Sequence, residues 1–206
     1  MLIRHRGIAP TIDPTAYVAP TATLVGDVRI GPRVRVMFGA VLDSEASYVE
    51  VGEATVISEN AVLRATAVAA EPHPVVLGDH IFVGPHTTLL GCHIERCCYL
   101  AAQATVLQGA HLGAGSVIAV GALAHAGTVL DPETFVAPMS VAIGSPAKIF
   151  SSADPDRLGA AIRGVNFAAT AFGVDHEWSD RIARYETMTE VRVAEYAAHL
   201  DDEPIG

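Results

Sequence analysis

The sequence predicts a mainly β protein, a parallel β-helix of six-residue repeats followed by a helical C-terminal extension. Three observations predict it. Branched or long apolar residues recur every six positions, a small residue follows most of them four positions later, and both patterns stop near residue 151. An α-helix has a period of 3.6 residues and a strand a period of two, whereas a hexapeptide solenoid repeats every six residues.

The six-residue step organises the chain from residue 12 to residue 142. Stacked coils need capping only at their ends. Small residues such as Cys92 and Cys98 are expected near the corners, while His93 and His111, three repeats apart, are expected to stack on adjacent coils at the surface. With short interruptions and one slip before Thr88, the side chains expected inside a narrow prism are Ile12, Val18, Leu24, Ile30, Val36, Leu42, Val51, Ile57, Leu63, Leu77, Val83, Thr88, Ile94, Leu100, Val106, Leu112, Ile118, Ala124, Leu130, Val136 and Ala142.

The composition agrees with this fold and excludes several kinds of partner. Half of the 206 residues are apolar but only 6% are aromatic, and 18 Gly and 12 Pro suit many short strands and turns. A formal net charge of −10 argues against nucleic acid and against an anionic membrane as partners. The N-terminus lacks the apolar core of a signal peptide, and three cysteines leave one unpaired, so we expect a cytoplasmic protein.

The chain divides into a β-helix domain over 1–150 and a helical extension over 151–206. The segment GSPAKIF at 144–150 is interpreted as the exit from the prism. The last residues, DDEPIG, are expected to be a frayed tail.

Two helices are predicted in the extension. The first begins after Asp154 or Asp156, runs to about Phe172 and ends near Gly173. The second covers about 177–200, and we expect its apolar stripe to pack on the prism or on a neighbouring subunit. That stripe contains Ile182, Tyr185, Met188, Val193, Tyr196 and Leu200.

From about Ile8 to Ile149 the chain resembles the gamma-class carbonic anhydrase family. The matching stretches are YVAPTATLVGDVRIG, VMFGAVL, PVVLGDHIFVG, LLGCHI, GAHLGAGSVIAVGAL and AIGSPAKI. The resemblance implies a left-handed parallel β-helix of hexapeptide repeats. It also implies a homotrimer that acts on a small-molecule substrate in a cleft between subunits.

The residues of the family's zinc site do not match. The resemblance puts the three zinc histidines on Arg64, Pro85 and Leu90. An arginine carries a permanent positive charge, and proline and leucine side chains have no donor atom, so none of the three can replace a histidine. We therefore expect no metal and no cofactor, and ordinary carbonic anhydrase activity is not expected.

Charged residues nevertheless gather where the family keeps its chemistry. The resemblance brings together Asp43, Glu45, Glu59, Arg64 and His86. The hypothesis is a metal-independent acid–base enzyme, of lyase, isomerase, cyclase or hydrolase type, acting on a small carbonyl or carboxylate compound. Arg64 would orient the substrate, Glu59 or Glu45 would be the base and His86 the acid. Asp43 and Glu45 have the same parity, so they could share one strand face.

Three alternatives stay open at this point. A displaced metal site could use His86 with His73 or His80. The charges could instead form structural ion pairs in a non-catalytic scaffold or assembly subunit. A hexapeptide acyltransferase, with His125 or His73 as base, would be stabilised by coenzyme A.

Overall fold

The computed structural model describes residues 1–175, 177 and 179–205, and its main body is a three-sided parallel β-helix. The chain turns at each corner of the prism, and the strands between corners are two to four residues long. In chain order the strands of the prism are β1 (Leu2–Arg4), β2 (Thr11–Ile12), β3 (Tyr17–Val18), β4 (Thr23–Val25), β5 (Val28–Ile30), β6 (Arg35–Val36), β7 (Val41–Asp43), β8 (Val49–Val51), β9 (Val56–Ile57), β10 (Val62–Arg64), β11 (Val75–Leu77), β12 (Phe82–Val83), β13 (Thr88–Leu90), β14 (His93–Ile94), β15 (Tyr99–Leu100), β16 (Thr105–Val106), β17 (His111–Leu112), β18 (Val117–Ile118), β19 (Leu123–Ala124), β20 (Val129–Leu130), β21 (Phe135–Val136) and β22 (Ser140–Ile143).

Each face of the prism takes every third strand. The first face runs from β1 through β4, β7 and β10 to β22, the second from β2 to β20 and the third from β3 to β21, and neighbouring prism strands are parallel. β23 (Lys148–Ser151) turns back and pairs antiparallel with β22. The prism therefore ends at the segment that the sequence identified as its exit.

The core contains most of the side chains that the six-residue step selected, with Ile12 and Val18 only partly buried, and further residues such as Val28 and Val49. Leu24, Leu42 and Leu100 are among its fully buried members, which confirms the pattern. Thr88 is the exception, because Leu89 is buried in its place and pairs with Leu63 and Val106. The shortened repeat therefore lies after this strand rather than before it.

Gly91 makes the shortened repeat possible. It follows β13 with φ +49°, and a Cβ added there would lie 2.5 Å from the Cβ of His73. A side chain would therefore meet both an unfavourable backbone conformation and a close neighbour.

The histidines and cysteines of the repeats fall on corners and outer faces. Cys92 and Cys98 are buried in the small-residue position, as predicted. His93 and His111 stack with ring centroids 4.8 Å apart, also as predicted. His86 is an exposed corner residue with φ +58°.

The extension contains more helices than predicted. It forms α1 (Pro155–Arg163), α2 (Phe167–Phe172), α3 (Arg181–Tyr196) and a 3₁₀ helix (Ala197–Asp201). Asp154 caps α1 by accepting a hydrogen bond from the Arg157 N–H at 3.3 Å. The prediction of one helix to Phe172 is wrong, because the chain leaves the helical conformation at Asn166, with φ +49°. No described helix has the length and apolarity that crossing a bilayer requires.

The tail is ordered over residues 201–205, which corrects the prediction of fraying for that part of DDEPIG, and Gly206 lies outside the described residues. β24 (Glu203–Pro204) pairs antiparallel with β1, and Ile205 N–H donates to the Leu2 carbonyl at 2.9 Å. The extension thus returns to the first coil, where both ends of the chain meet.

α3 does not bury its predicted apolar stripe on its own prism. Ile182 is 75% exposed, Val193 60% and Leu200 88%, whereas the buried side chains of the helix include Arg184 and Glu195. A neighbouring subunit remains the predicted partner of this stripe.

Candidate functional site

Three of the five predicted site residues meet on the first face. Arg64 ends β10, and its register partners are Asp43 on β7 and Leu90 on β13. Strands in register lie about 4.8 Å apart, so these side chains are stacked neighbours. Arg64 Nε lies 3.7 Å from Asp43 Oδ2 and 3.7 Å from Glu45 Oε1.

A turn, rather than strand alternation, brings Glu45 to this place. β7 ends at Asp43, and Glu45 follows in the left-handed conformation, with φ +47°. The Glu45 N–H donates to Asp43 Oδ1 at 3.0 Å. Ser44 anchors the turn because its Oγ accepts the Asp27 N–H at 2.9 Å. The predicted shared strand face is therefore wrong, although the two carboxylates do meet.

Glu59 and His86 lie apart from these residues. Both are exposed at the corner that precedes the first face, and the His86 N–H donates to the Glu59 carbonyl at 3.0 Å. In the described part of the chain, neither side chain contacts Arg64. Their proposed roles as base and acid stay predictions.

The C-terminal segment supplies two residues that the sequence did not single out for the site. Tyr196 Oη accepts a hydrogen bond from Arg64 Nη1 at 2.6 Å, and the guanidinium carbon lies 5.4 Å from the centre of the tyrosine ring. His199 Nε2 lies 3.6 Å from Glu45 Oε2 and 3.7 Å from Asp43 Oδ2.

Asp202 joins the two ends of the chain through two histidines. Its Oδ1 lies 2.6 Å from His5 Nδ1 and its Oδ2 lies 2.9 Å from His199 Nδ1. The two imidazole rings stack with centroids 4.4 Å apart. Together these residues form the Arg64 cluster, which comprises His5, Asp43, Glu45, Arg64, Tyr196, His199 and Asp202.

No sequence motif marks His5, Tyr196, His199 or Asp202. Tyr196, His199 and Asp202 reach the Arg64 cluster because the C-terminal segment returns to the first coil, where β24 pairs with β1. His5 follows β1 and is placed by the pairing of β1 with β4 and of β4 with β7. The sequence carries one chemical hint of these site residues. The segment HLDDE, at 199–203, has a histidine followed by acidic residues, but it lies in a tail that was expected to fray.

Burial and neighbouring charges together set the electrostatics of the cluster. Burial raises the pKa of Glu45 to about 7, and the nearby charges of Asp43 and Glu195 act in the same direction, while His199 and Arg64 oppose them. Burial alone would lower the pKa of His199, but the hydrogen bond with Asp202 and the charges of Asp43 and Glu45 outweigh it and raise the pKa.

Several polar atoms of the cluster are buried without a hydrogen-bond partner. They are Nε2 of His5, both carboxylate oxygens of Glu45 and Nε of Arg64. Buried polar groups are normally paired, so each of these atoms calls for an explanation.

One set of side chains in the described part of the chain could hold a metal ion. Ligand atoms of His5, Glu45 and His199 all lie within 4.8 Å of one another. The displaced site expected from His73, His80 and His86 forms no such group among the described residues. His73 Nε2 instead lies 3.2 Å from the Thr170 carbonyl on α2.

His125 lines a separate cavity of about 380 Å³ between the prism and the helices. Its Nδ1 accepts a hydrogen bond from the Ala126 N–H at 2.8 Å, and Phe167 packs edge-on against its ring. Burial lowers the pKa of His125. In the described residues, the His125 imidazole shares no contact with the Arg64 cluster.

Comparisons with known proteins agree with the fold. No family model matches the chain. It is 33% identical to gamma carbonic anhydrase 1, mitochondrial, of Arabidopsis thaliana over 135 residues, which cover 62% of the chain and 49% of that protein. It is 25% identical to a carbonic anhydrase of Geobacillus kaustophilus, over 77% of the chain and 81% of that protein.

A solved structure extends the comparison to almost the whole chain. A hexapeptide transferase family protein from Anaplasma phagocytophilum matches with a TM-score of 0.50 and 20% identity, over 97% of both chains, which supports the fold alone. The chain spans about half the length of the Arabidopsis relative. This chain is a hexapeptide-repeat left-handed β-helix protein whose sequence is similar to the gamma carbonic anhydrases.

Proposed function

We propose that the protein is an acid–base enzyme that binds a small carbonyl or carboxylate compound at the Arg64 cluster. One observation carries this proposal. A partly exposed guanidinium, with 31% of the side chain accessible, faces the buried carboxylates of Asp43 and Glu45. A fixed cation among groups that can take and give protons suits chemistry at a carbonyl carbon or beside a carboxylate.

The residues at the family's zinc positions do not fit a zinc ion. The Arg64 guanidinium donates to Tyr196 and lies beside two carboxylates, and its register neighbour Leu90 is aliphatic. Pro85 has no side-chain donor either. No step of the proposed reaction therefore passes through a metal at these positions.

Each residue of the cluster receives a role from its position. Arg64 orients the substrate's carboxylate or developing oxyanion through the N–H groups that Tyr196 leaves free. Tyr196 Oη accepts from Arg64, so its own hydroxyl hydrogen is available to the substrate. Glu45 and His199, 3.6 Å apart, are the groups that carry protons, with Asp43 holding the guanidinium.

We further propose that the working molecule is a homotrimer in the cytoplasm. The exposed apolar stripe of α3 supports an interface, and three cysteines without disulfides agree with a reducing compartment. In the proposed trimer, a neighbouring subunit brings its own Glu59 and His86 close to the site. The predicted roles of these residues as base and acid depend on that arrangement.

The test is a thermal-shift and calorimetric screen of small carboxylates, 2-oxo acids, unsaturated acids and bicarbonate. We expect a stabilising ligand whose affinity falls about 10- to 150-fold in Arg64→Gln, because a hydrogen bond to a charged group contributes about 1.5–3 kcal/mol. Arg64→Lys keeps the charge and should lose only part of the affinity, since it removes the fork-like donor geometry. Arg33→Gln, which removes an exposed arginine paired with Glu53, is the matched control.

Other outcomes would point to the alternatives. If no small anion stabilises the protein and Arg64→Gln lowers only the stability, the cluster is a structural ion-pair network in a scaffold. Stabilisation by coenzyme A that is lost in His125→Ala would favour an acyltransferase.

A further inference from the structure

Asp202 arranges two imidazoles in the manner of metal-binding histidines. An ionised carboxylate only accepts hydrogen bonds, so Nδ1 of His5 and Nδ1 of His199 both carry the donated hydrogen. Metal-bound histidines commonly donate one ring N–H to a carboxylate, which fixes the ring and leaves the other nitrogen for the metal. Here one carboxylate does so for two rings at once.

The remaining ring nitrogens and a carboxylate converge without bonding to each other. His5 Nε2 is buried and has no partner, and neither Glu45 oxygen has one. His199 Nε2 lies 3.6 Å from Glu45 Oε2, which is too long for a hydrogen bond. Leaving these atoms unpaired in the interior is costly, and a shared cation would satisfy all of them.

The charge of the surroundings favours a cation. The Arg64 cluster contains three carboxylates, those of Asp43, Glu45 and Asp202, but only one guanidinium, that of Arg64. The Glu195 carboxylate adds to the negative charge felt by Glu45, although Arg192 pairs with it.

We propose that His5, Glu45 and His199 bind one divalent transition-metal ion, of the chemical class of zinc, where the two ends of the chain meet. Their ligand atoms lie within 4.8 Å of one another, so small side-chain rotations bring them around one ion. Two imidazoles and one carboxylate suit zinc and its first-row neighbours, whereas magnesium and calcium take oxygen ligands. This set reverses the sequence-based expectation that the protein holds no metal.

The proposed ion differs from the family's zinc in position. All three ligands come from one chain, and none is at the positions of Arg64, Pro85 or Leu90. Glu45 would bind the ion through one oxygen while its other oxygen faces Arg64 Nε at 3.7 Å. The ligand set stands without the proposed function, which it touches only in placing the ion beside the substrate. In metal-bound protein Glu45 and His199 would be occupied as ligands, so their proposed proton transfer belongs to the metal-free protein.

The test measures metal binding directly on tag-free protein stripped with chelator. We expect one Zn²⁺ per chain by elemental analysis after dialysis, a calorimetric titration of the same stoichiometry, and a Co²⁺ visible spectrum typical of nitrogen and oxygen ligands. His199→Ala and Glu45→Gln should each weaken binding at least 100-fold. Asp202→Asn keeps all three ligands and should weaken binding about 10- to 100-fold.

A matched control exists on the second face. His93 and His111 form another stacked pair, and His111 Nε2 lies 3.0 Å from the Glu95 carboxylate, but this set is at the surface. His93→Ala should leave the stoichiometry and affinity unchanged. Thermal unfolding of each variant without metal verifies that it is folded, and added Zn²⁺ should raise the midpoint of the wild type but not of His199→Ala.

The outcomes separate this inference from the proposed function. No stoichiometric binding to the wild type, or equal binding by folded His199→Ala and Glu45→Gln, overturns the metal site. If the metal binds as expected but no small anion depends on Arg64, the site stands and the enzyme proposal fails. Arg64-dependent anion binding by protein that takes up no metal leaves the enzyme proposal standing alone.

Discussion

At the scale of single residues, the balance between burial and neighbouring charges decides the chemistry of the histidines. His125 is nearly inaccessible and its Nδ1 accepts a backbone N–H, so the ring is held in its neutral form. His199 has two carboxylates within 4 Å besides Asp202, and its pKa moves in the opposite direction. The same side chain is therefore biased towards neutrality in one place and towards charge in the other.

His125 makes stability depend on pH. Its pKa is lowered from 6.5 in the folded protein, so the unfolded chain binds a proton first as the pH falls. Its contribution is present above about pH 6.5 and is lost below it, by at most about 1.4 kcal/mol for each pH unit. Urea unfolding between pH 7 and pH 5 measures this slope.

The variant His125→Asn should flatten that slope, because asparagine does not titrate. Its amide oxygen can still accept the Ala126 N–H, so the hydrogen bond is kept. His80→Asn, at an exposed corner with φ +57°, is the control and should keep the slope of the wild type. Equal slopes in both variants would contradict the argument.

At the scale of elements, the repeat tolerates left-handed corners but not every side chain at them. Many corners hold a non-glycine residue with positive φ, such as Asn60, Gln103 and Glu133. Backbone conformation alone therefore does not demand glycine, and the space around the corner decides. Gly91 and Gly127 separate the two effects, because both have positive φ but only Gly91 has a close neighbour.

Gly91→Ala should destabilise the protein more than Gly127→Ala. The second change costs only the left-handed backbone, about 1–3 kcal/mol, because nothing lies within 4 Å of its new Cβ. The first adds a contact of 2.5 Å with His73 Cβ. Chemical unfolding of both variants measures the difference, and equal losses would show that the corner at Gly91 can relax.

At the scale of the whole molecule, two apolar surfaces are largely exposed in the described part of the chain. One is the stripe of α3, and the other is a column on the third face that contains Phe82, Tyr99 and Phe135, each more than a third exposed. Apolar surfaces of this kind commonly mark interfaces between subunits. The exposed apolar surfaces of the single chain are therefore consistent with a trimer, which stays a prediction.

The stripe of α3 is the surface we expect between subunits. Light scattering should give three times the 21.5 kDa chain mass for the wild type, and less for the double variant Ile182→Glu with Val193→Glu. Thr189→Glu, an exposed position on the same helix, should keep the trimer. A trimer that survives the double variant would move the interface to the third face, and a wild-type monomer would reject the trimer.

Sequence alone determined the prism because its information is local and repeated. Each hexad specifies an inward apolar residue and a corner, and many hexads in register tolerate an error such as Thr88 for Leu89. The neighbourhood of Asp43 and Arg64 follows from the same register. The repeat register therefore pairs Asp43 with Arg64, whereas Glu45 was grouped with them only through the resemblance to the carbonic anhydrase family.

Only the tertiary structure decided the rest of the site. A turn at Glu45, rather than strand parity, aims its carboxylate at Arg64. Tyr196, His199 and Asp202 join because β24 pairs with β1, a pairing between distant segments that no local pattern encodes, while His5 is placed by the pairing of β1 with β4. Glu59 and His86, which the resemblance grouped with Arg64, lie instead at the corner that precedes the first face. Local periodicity builds the prism, whereas long-range pairing of the chain ends builds the site.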